Sequence, residues 1–174
     1  GGTMGTDLAL DVCGVLPMGF PKIIVSTVAF SPLLPPERIS PDVMMILWAG
    51  GLFGLNAVCK SSLSQAAGAV VGAARAVVKP DAKRPVVGMT SLGSSSLKYM
   101  KKLKPELEAR GFELAIFHTT GLGGRAFETL AEKGAFACVM DFGLVEVSNG
   151  VLGSPVNSGA SRLTGAGLNG IPQI

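Results

Sequence analysis

Histidine, aromatic residues and charge are all scarce in this chain of 174 residues, and each scarcity removes a class of function. A single histidine, His118, excludes a histidine-rich metal site and forces any Ser-His-Asp arrangement to run through one side chain. The three cysteines, Cys13, Cys59 and Cys138, are far apart and form no C-x-x-C pair, so they read as reduced, buried thiols of an intracellular protein. Charged residues make up 16 % of the chain and aromatics 6 %, and a net charge of +3 from scattered lysines and arginines argues against a nucleic-acid partner. The densest basic run, Lys98, Lys101, Lys102 and Lys104, is diluted by Glu106, Glu108 and Arg110 and reads as a solvated helix face. The uncharged window from Val43 to Cys59 is slightly short for a bilayer and carries Gly50, Gly51, Gly54 and Asn56; it reads as a buried helix of a soluble domain, with no membrane partner. No basic leader with a cleavage site is evident, and a cytoplasmic location is the expectation.

What the chain does have is apolar residues, 48 % of the total, and glycine. The most informative stretch is F-E-L-A-I-F-H-T-T-G-L-G-G-R-A-F-E, Phe112 to Glu128. An apolar strand runs into a glycine-rich turn that opens a helix, expected from Arg125 to about Lys133. Gly121, Gly123 and Gly124 would let the backbone turn sharply and approach a ligand, and the unpaired N–H groups of the helix start would favour an anion. The spacing is neither a dinucleotide fingerprint nor a Walker loop, so a plain strand-to-helix turn is the competing reading.

The rest of the order supports a Rossmann-like α/β protein with a parallel sheet and flanking helices. Lys22 to Ala29 is a β-branched strand, the proline-rich loop Ser31 to Pro41 excludes helix, and Val43 to Val78 is helix-prone with a break near Gly50, Gly51 and Gly54. Gly68 and Gly72 are spaced for close packing of a neighbouring element. The charged, proline-flanked joint Lys79 to Pro85 divides the chain into residues 1–79, the back part of a first half, and 80–174, the front part of a second. Strand and helix then alternate: Val86 to Thr90, a Ser94–Ser96 cap with a helix to Arg110 kinked or split at Pro105, Phe112 to His118, the glycine turn and its helix to Gly134, Phe136 to Asp141, a weak helix Ser161 to Leu168, and a strand from Ile171. The opening G-G-T-M-G-T with no strand before it, and the closing G-I-P-Q-I, read as an internal segment of a longer protein.

In a parallel sheet, ligands collect at the carboxyl ends of the strands. The residues there are Gly1, Gly2, Thr3, Gly5, Thr6, Ser26 and Thr27 in the first half, and Thr90, Ser91, His118, Thr119, Thr120, Asp141 and Glu146 in the second. Hydroxyls and amides suit phosphate or carboxylate binding better than proton transfer. His118 is either a general base or an imidazole orienting the glycine turn; Asp141 either holds magnesium beside a phosphate or accepts hydrogen bonds from a helix start. Arg125 either faces the anion or pairs on the surface with Glu128 or Glu132. D-F-G at Asp141 to Gly143 lacks the lysine strand and H-R-D loop of a kinase.

The motifs G-G-T-M-G-T, L-P-M-G-F-P-K-I-I-V-S-T-V-A, V-V-G-M-T and F-H-T-T-G-L-G-G-R-A-F-E, in that order, resemble the family of the tomato mosaic virus resistance protein over nearly the whole chain. That resemblance implies two Rossmann-like halves, an ATP-binding N-terminal region, and mostly members without an assigned reaction. It implies nucleotide contacts from Gly1, Gly2, Thr3, Gly5, Thr6, Ser26 and Thr27, with Thr119, Thr120, Gly121, Gly123, Gly124 and Arg125 facing the same cleft, and ATP, with or without magnesium, as cofactor. An ATP-binding module is thus the first reading; an enzyme acting on a small anionic metabolite with His118 as base, and a protein-interaction scaffold, are the alternatives. An exposed strand edge at Lys22 to Ala29 and the apolar Val43 to Cys59 segment point to a homo-oligomer.

Overall fold

The computed structural model describes residues 1–34, 38–48, 50, 53–78 and 83–174, in two compact units, Gly1–Pro80 and Asp81–Ile174. Both are α/β, with parallel strands flanked by helices. Pro35, Pro36, Gly51 and most of the Lys79 to Pro85 joint lie outside the described residues.

In the first unit, α1 (Thr3–Val15) precedes β1 (Ile23–Ser26), which pairs in parallel with β2 (Met44–Leu47) in the register Ile23 to Met44 through Ser26 to Leu47. The alternation along β1 buries Ile24 and Ser26, and Ile24 packs with Leu10 and Cys13 of α1 and with Leu34. Lys22, just before β1, is buried and its ammonium is neutralised by Asp42 at 2.6 Å.

β2 corrects the expectation of a buried helix from Val43 to Cys59. Four apolar residues, M-M-I-L, fit either a strand or a helix turn, and pairing with the β-branched β1 decides the matter. The helix of this region, α2 (Ala57–Ala76), starts only after Asn56, whose side-chain oxygen accepts the Cys59 N–H at 3.0 Å. α2 buries only Cys59 and Ala66, and a methyl group at Gly68 or Gly72 would meet nothing within 4 Å, so those glycines do not mark close packing among the described residues.

The second unit is built on a three-stranded parallel sheet in the order β4 (Glu113–His118), β3 (Val86–Ser91), β5 (Cys138–Asp141). Gln173 bridges to Val139 on the outer side of β5, so the last residues make a short additional pairing. α3 (Gly93–Ala109) links β3 to β4, and α4 (Leu122–Glu132) links β4 to β5. Phe127 of α4 stacks with Phe117 of β4 and with Phe136, and the three rings form the core with Ala131, Val139 and Ala166. A Cβ on Gly88 would come within 2.8 Å of the Phe136 ring, so the centre of β3 needs a glycine.

α3 runs unbroken through Pro105, so of the two expected outcomes, a kink or two shorter helices, the split does not occur. Pro105 is exposed, and so is Lys101, whose carbonyl would otherwise accept from that position, so the missing donor falls on the solvent side of the helix. The helix begins at Gly93, ahead of the expected serine cap, and Ser96 serves it by accepting from the Leu92 N–H and donating to the Leu92 carbonyl. After β5 come α5 (Val145–Val151) and α6 (Gly165–Leu168), the latter far shorter than the expected Ser161 to Leu168 helix.

Candidate functional site

The carboxyl ends of β3, β4 and β5 meet a buried ionic cluster centred on Arg162, which is 7 % exposed. Its guanidinium binds both oxygens of Asp141, the nearer in a very short contact and Oδ1 at 2.6 Å; it reaches Glu128 Oε1 at 3.1 Å and Glu146 Oε2 at 3.1 Å. It also lies 5.6 Å from the centre of the Phe127 ring. Burial opposes the charge on Arg162, yet Asp141, Glu146 and Glu128 together hold its pKa above the ordinary arginine value.

Three carboxylates around one guanidinium leave negative charge over, and backbone donors meet it. Glu128 accepts from the N–H groups of Leu163 at 2.6 Å and Gly165 at 2.9 Å. Asp141 accepts the Thr90 hydroxyl at 2.5 Å, and Thr90 in turn accepts the Gly143 N–H at 2.8 Å. Glu146 Oε1 accepts the N–H of Gly124 at 3.2 Å and, in a shorter contact, that of Gly121.

The last pair recasts the glycine turn. The donors at the start of α4 that the sequence assigns to an external anion are engaged by Glu146 of the same chain. The helix starts at Leu122, three residues before Arg125, after Gly121 in a left-handed conformation with φ 96°. Gly123 and Gly124 are required by space: a Cβ on Gly123 would overlap the His118 carbonyl oxygen, and one on Gly124 would overlap Glu146 Oε2.

The other candidates separate accordingly. Thr119 is fully buried, and its hydroxyl and N–H both donate to the Ser91 carbonyl; Thr120 is exposed. His118 is exposed, and it is its carbonyl, not its imidazole, that meets the turn, accepting the Thr120 N–H at 3.0 Å. Both oxygens of Asp141 are committed to Arg162, so this donor set does not fit magnesium: a cation already fills it. No group of three or more His, Cys, Asp or Glu side chains arranged to hold a metal ion occurs among the described residues. Glu128 is taken by Arg162, and the Arg125 guanidinium lies against Gly159, about 3.7 Å from where a Cβ would stand there. An open cleft of about 770 Å³ beside the end of β5 is lined by Tyr99, Lys102, Leu103, Phe142 and Leu144 among others, with the Tyr99 and Phe142 rings edge-on at 5.5 Å.

In the first unit the start of α1 sits at the carboxyl end of β1. The Thr6 and Ser26 hydroxyls share a buried hydrogen bond of 2.7 Å, Ser26 Oγ accepts the Val28 N–H at 3.0 Å, and the Thr27 N–H donates to the Gly1 carbonyl at 3.0 Å. No side chain caps α1, and a Cβ on Gly2 or Gly5 would meet nothing within 4 Å. Thr3 and Gly5 are exposed, whereas Thr6 and Ser26 are buried. The thiols of Cys13 and Cys138 are pushed up by burial, away from the reactive thiolate.

Arg162 is the residue that sequence reasoning missed. The available signal is that it is the only charged residue after Glu146, in a stretch of glycine, serine and asparagine.

Residues 1–79 match the N-terminal domain, and residues 84–174 the C-terminal domain, of the uncharacterised protein family UPF0261. The chain belongs to the UPF0261 family. A UPF0261 protein of Brucella suis is 63 % identical over 174 residues, covering all of this chain and 42 % of that protein. One from Clostridium tetani is 35 % identical over 176 residues, covering 43 % of its length. The ToMV resistance protein Tm-1 of Solanum lycopersicum is 32 % identical over 168 residues, covering 93 % of this chain and 22 % of its own. This UPF0261 chain thus spans less than half the length of the curated relatives it matches. No helix among its described residues is long and apolar enough to cross a membrane.

Proposed function

We propose that this chain is a nucleotide-binding module of a Rossmann-like protein, with ATP as the nucleotide and the first unit as the phosphate-facing part. The observation that carries the reading is the contrast between the two helix starts. The amides of Gly121 and Gly124 in the second unit are engaged by Glu146, while α1, a helix of 13 residues, begins without a side-chain cap and with open space at Gly2 and Gly5. Such a start offers amide donors and a positive dipole end to an anion, and the Thr6–Ser26 hydrogen bond fixes it against the end of β1. Side-chain-free glycines leave room for phosphate oxygens to approach the backbone. On this reading Thr3 adds a hydroxyl contact, Thr27 adds another by giving up its 3.4 Å hydrogen bond to the Gly1 carbonyl, and magnesium, if it accompanies ATP, is held through the phosphates and not by Asp141.

Gly5→Val tests this. A side chain there has free space in the fold, so thermal stability should hold, while the valine fills the volume a phosphate needs; ATP affinity measured by calorimetry should fall by roughly tenfold or more. Equal affinities in the two proteins, or no ATP binding by the unsubstituted chain, would refute the site.

A further inference from the structure

The open cleft of about 770 Å³ beside the end of β5 has two walls, and the fold fixes each of them separately. One is a face of α3: Tyr99, Lys102, Leu103 and Glu106 stand at i, i+3, i+4 and i+7 and so share one side of the helix. The other is the D-F-G turn, where burial alternates. Asp141 and Gly143 are buried, while Phe142 is 43 % exposed and Leu144 46 %. Asp141 is held by Arg162 and by the Thr90 hydroxyl, and Gly143 donates its N–H to Thr90 Oγ1 at 2.8 Å. A Cβ on Gly143 would come within 2.5 Å of Thr119 Oγ1, so the turn is pressed onto the buried residue that follows β4. With both neighbours pinned, the alternation turns Phe142 outward. An aromatic ring is thereby kept at the cleft, edge-on to Tyr99 at 5.5 Å, at the carboxyl end of a parallel strand, where ligands collect.

Holding such apolar surface in water is unfavourable, and the cleft falls within the range of small-molecule sites, about 300 to 1,000 Å³. A stable protein partner needs roughly 800 Å² from each side, more than these two short walls provide. Charge at the rim narrows the ligand class. Lys104 and Arg110 are paired with Glu108 and Glu106, whereas Lys102 forms no ion pair among the described residues. We propose that this cleft binds a planar aromatic monocarboxylic acid, with its ring against Phe142 and Tyr99 and its carboxylate on Lys102. A monoanion is matched one to one by the free ammonium, while a polyanion would meet the Glu106 carboxylate with no second cation to offset it. The site lies within the second unit and does not rest on the ATP reading of the first.

Tyr99 is the only tyrosine of the chain, so its ring proton resonances report on the cleft directly. The probes are 2-naphthoate, the neutral 2-naphthalenemethanol, and decalin-2-carboxylate, which keeps the carboxylate and the carbon skeleton but has no aromatic ring. 2-Naphthoate should shift the Tyr99 signals and saturate with a Kd of about 1 mM or tighter, as a ligand of its size does at ordinary efficiency. Decalin-2-carboxylate should bind roughly two- to tenfold more weakly, the range of one aromatic pair. Lys102→Gln should weaken 2-naphthoate roughly two- to fivefold, the range of one exposed ion pair, and leave 2-naphthalenemethanol unchanged. Phe142→Leu keeps apolar bulk at an exposed position, so the fold should hold while the preference for the aromatic acid narrows. No Tyr99 response to 2-naphthoate up to its solubility limit would overturn the proposal, and so would equal affinity for decalin-2-carboxylate or an unchanged affinity in Lys102→Gln. A Tyr99 shift that follows protein concentration with no probe present would assign the cleft to a second copy of this chain instead.

Discussion

Removing Arg162 should cost the second unit more than any other single charge change. In Arg162→Met an apolar stem of similar length is kept beside Phe127, but the ring loses the cation over it and Asp141, Glu128 and Glu146 lose the cation they share. All four side chains are at most 4 % exposed, so water cannot take over. Breaking a buried pair from one side costs about 3 to 5 kcal/mol, because the remaining charge stays buried and uncompensated. Total stability is only about 5 to 15 kcal/mol, so the loss is a large share of it. For a unit of this size it corresponds to a fall in the thermal midpoint on the order of 12 to 40 °C.

The assay is chemical denaturation of the unsubstituted chain, Arg162→Met, Arg162→Lys and Arg110→Met. Lysine keeps the charge but cannot grip both Asp141 oxygens as a fork, so it should fall between the extremes. Arg110 pairs with Glu106 on the exposed face of α3, and its removal should change stability by no more than about 1 kcal/mol. If the penalty arises from stranded carboxylates, Asp141→Asn should cost less in the Arg162→Met background than alone, a coupling that a double-mutant cycle reads directly. An Arg162→Met protein within about 1 kcal/mol of the unsubstituted chain would refute this account.

Gly124→Ala puts a methyl group where Glu146 Oε2 stands and should destabilise the second unit by roughly 1 to 3 kcal/mol, read by the same denaturation; a neutral result would mean that the carboxylate moves away freely. In the first unit, burial pushes the Asp42 carboxyl up, but hydrogen bonds from Lys22, Ser40 and the Gly19 N–H outweigh it and leave the folded pKa below the ordinary value. That contribution is present above the unfolded pKa and lost as pH falls through the folded one, so Asp42→Asn should flatten the acid limb of the stability profile, and an unaltered limb would exclude the pair. We also expect self-association, because Phe53, Leu55 and Leu47 are exposed and apolar; a monomer at every concentration in sedimentation velocity would exclude it.

Much of the second unit was legible in the sequence because local signals agreed with the tertiary outcome. Gly111 and Gly134, at φ 85° and 70°, close α3 and α4 where the helical patterns stop, and β-branched or aromatic runs fall on β3 and β4. Where the signal depended on partners far along the chain, it failed. Met44–Leu47 has no local feature that separates strand from helix; only the pairing with Ile23–Ser26 does so.

The glycine turn was ambiguous for a different reason, and the reason bears on function. A helix start that needs an anion looks the same in sequence whether the anion is a ligand or a side chain 22 residues away, as Glu146 is from Gly124. G-L-G-G therefore correctly announced an oxyanion and could not say whose. What decides between the two is charge arithmetic around the turn. Glu146 is buried beside Asp141 and Glu128, and it is tolerable there only because Arg162 reaches all three. Among the described residues, no carboxylate is hydrogen-bonded to the start of α1. Two glycine-marked helix starts in one chain thus carry opposite expectations, one satisfied from within and one, on the ATP reading proposed above, taken by a ligand.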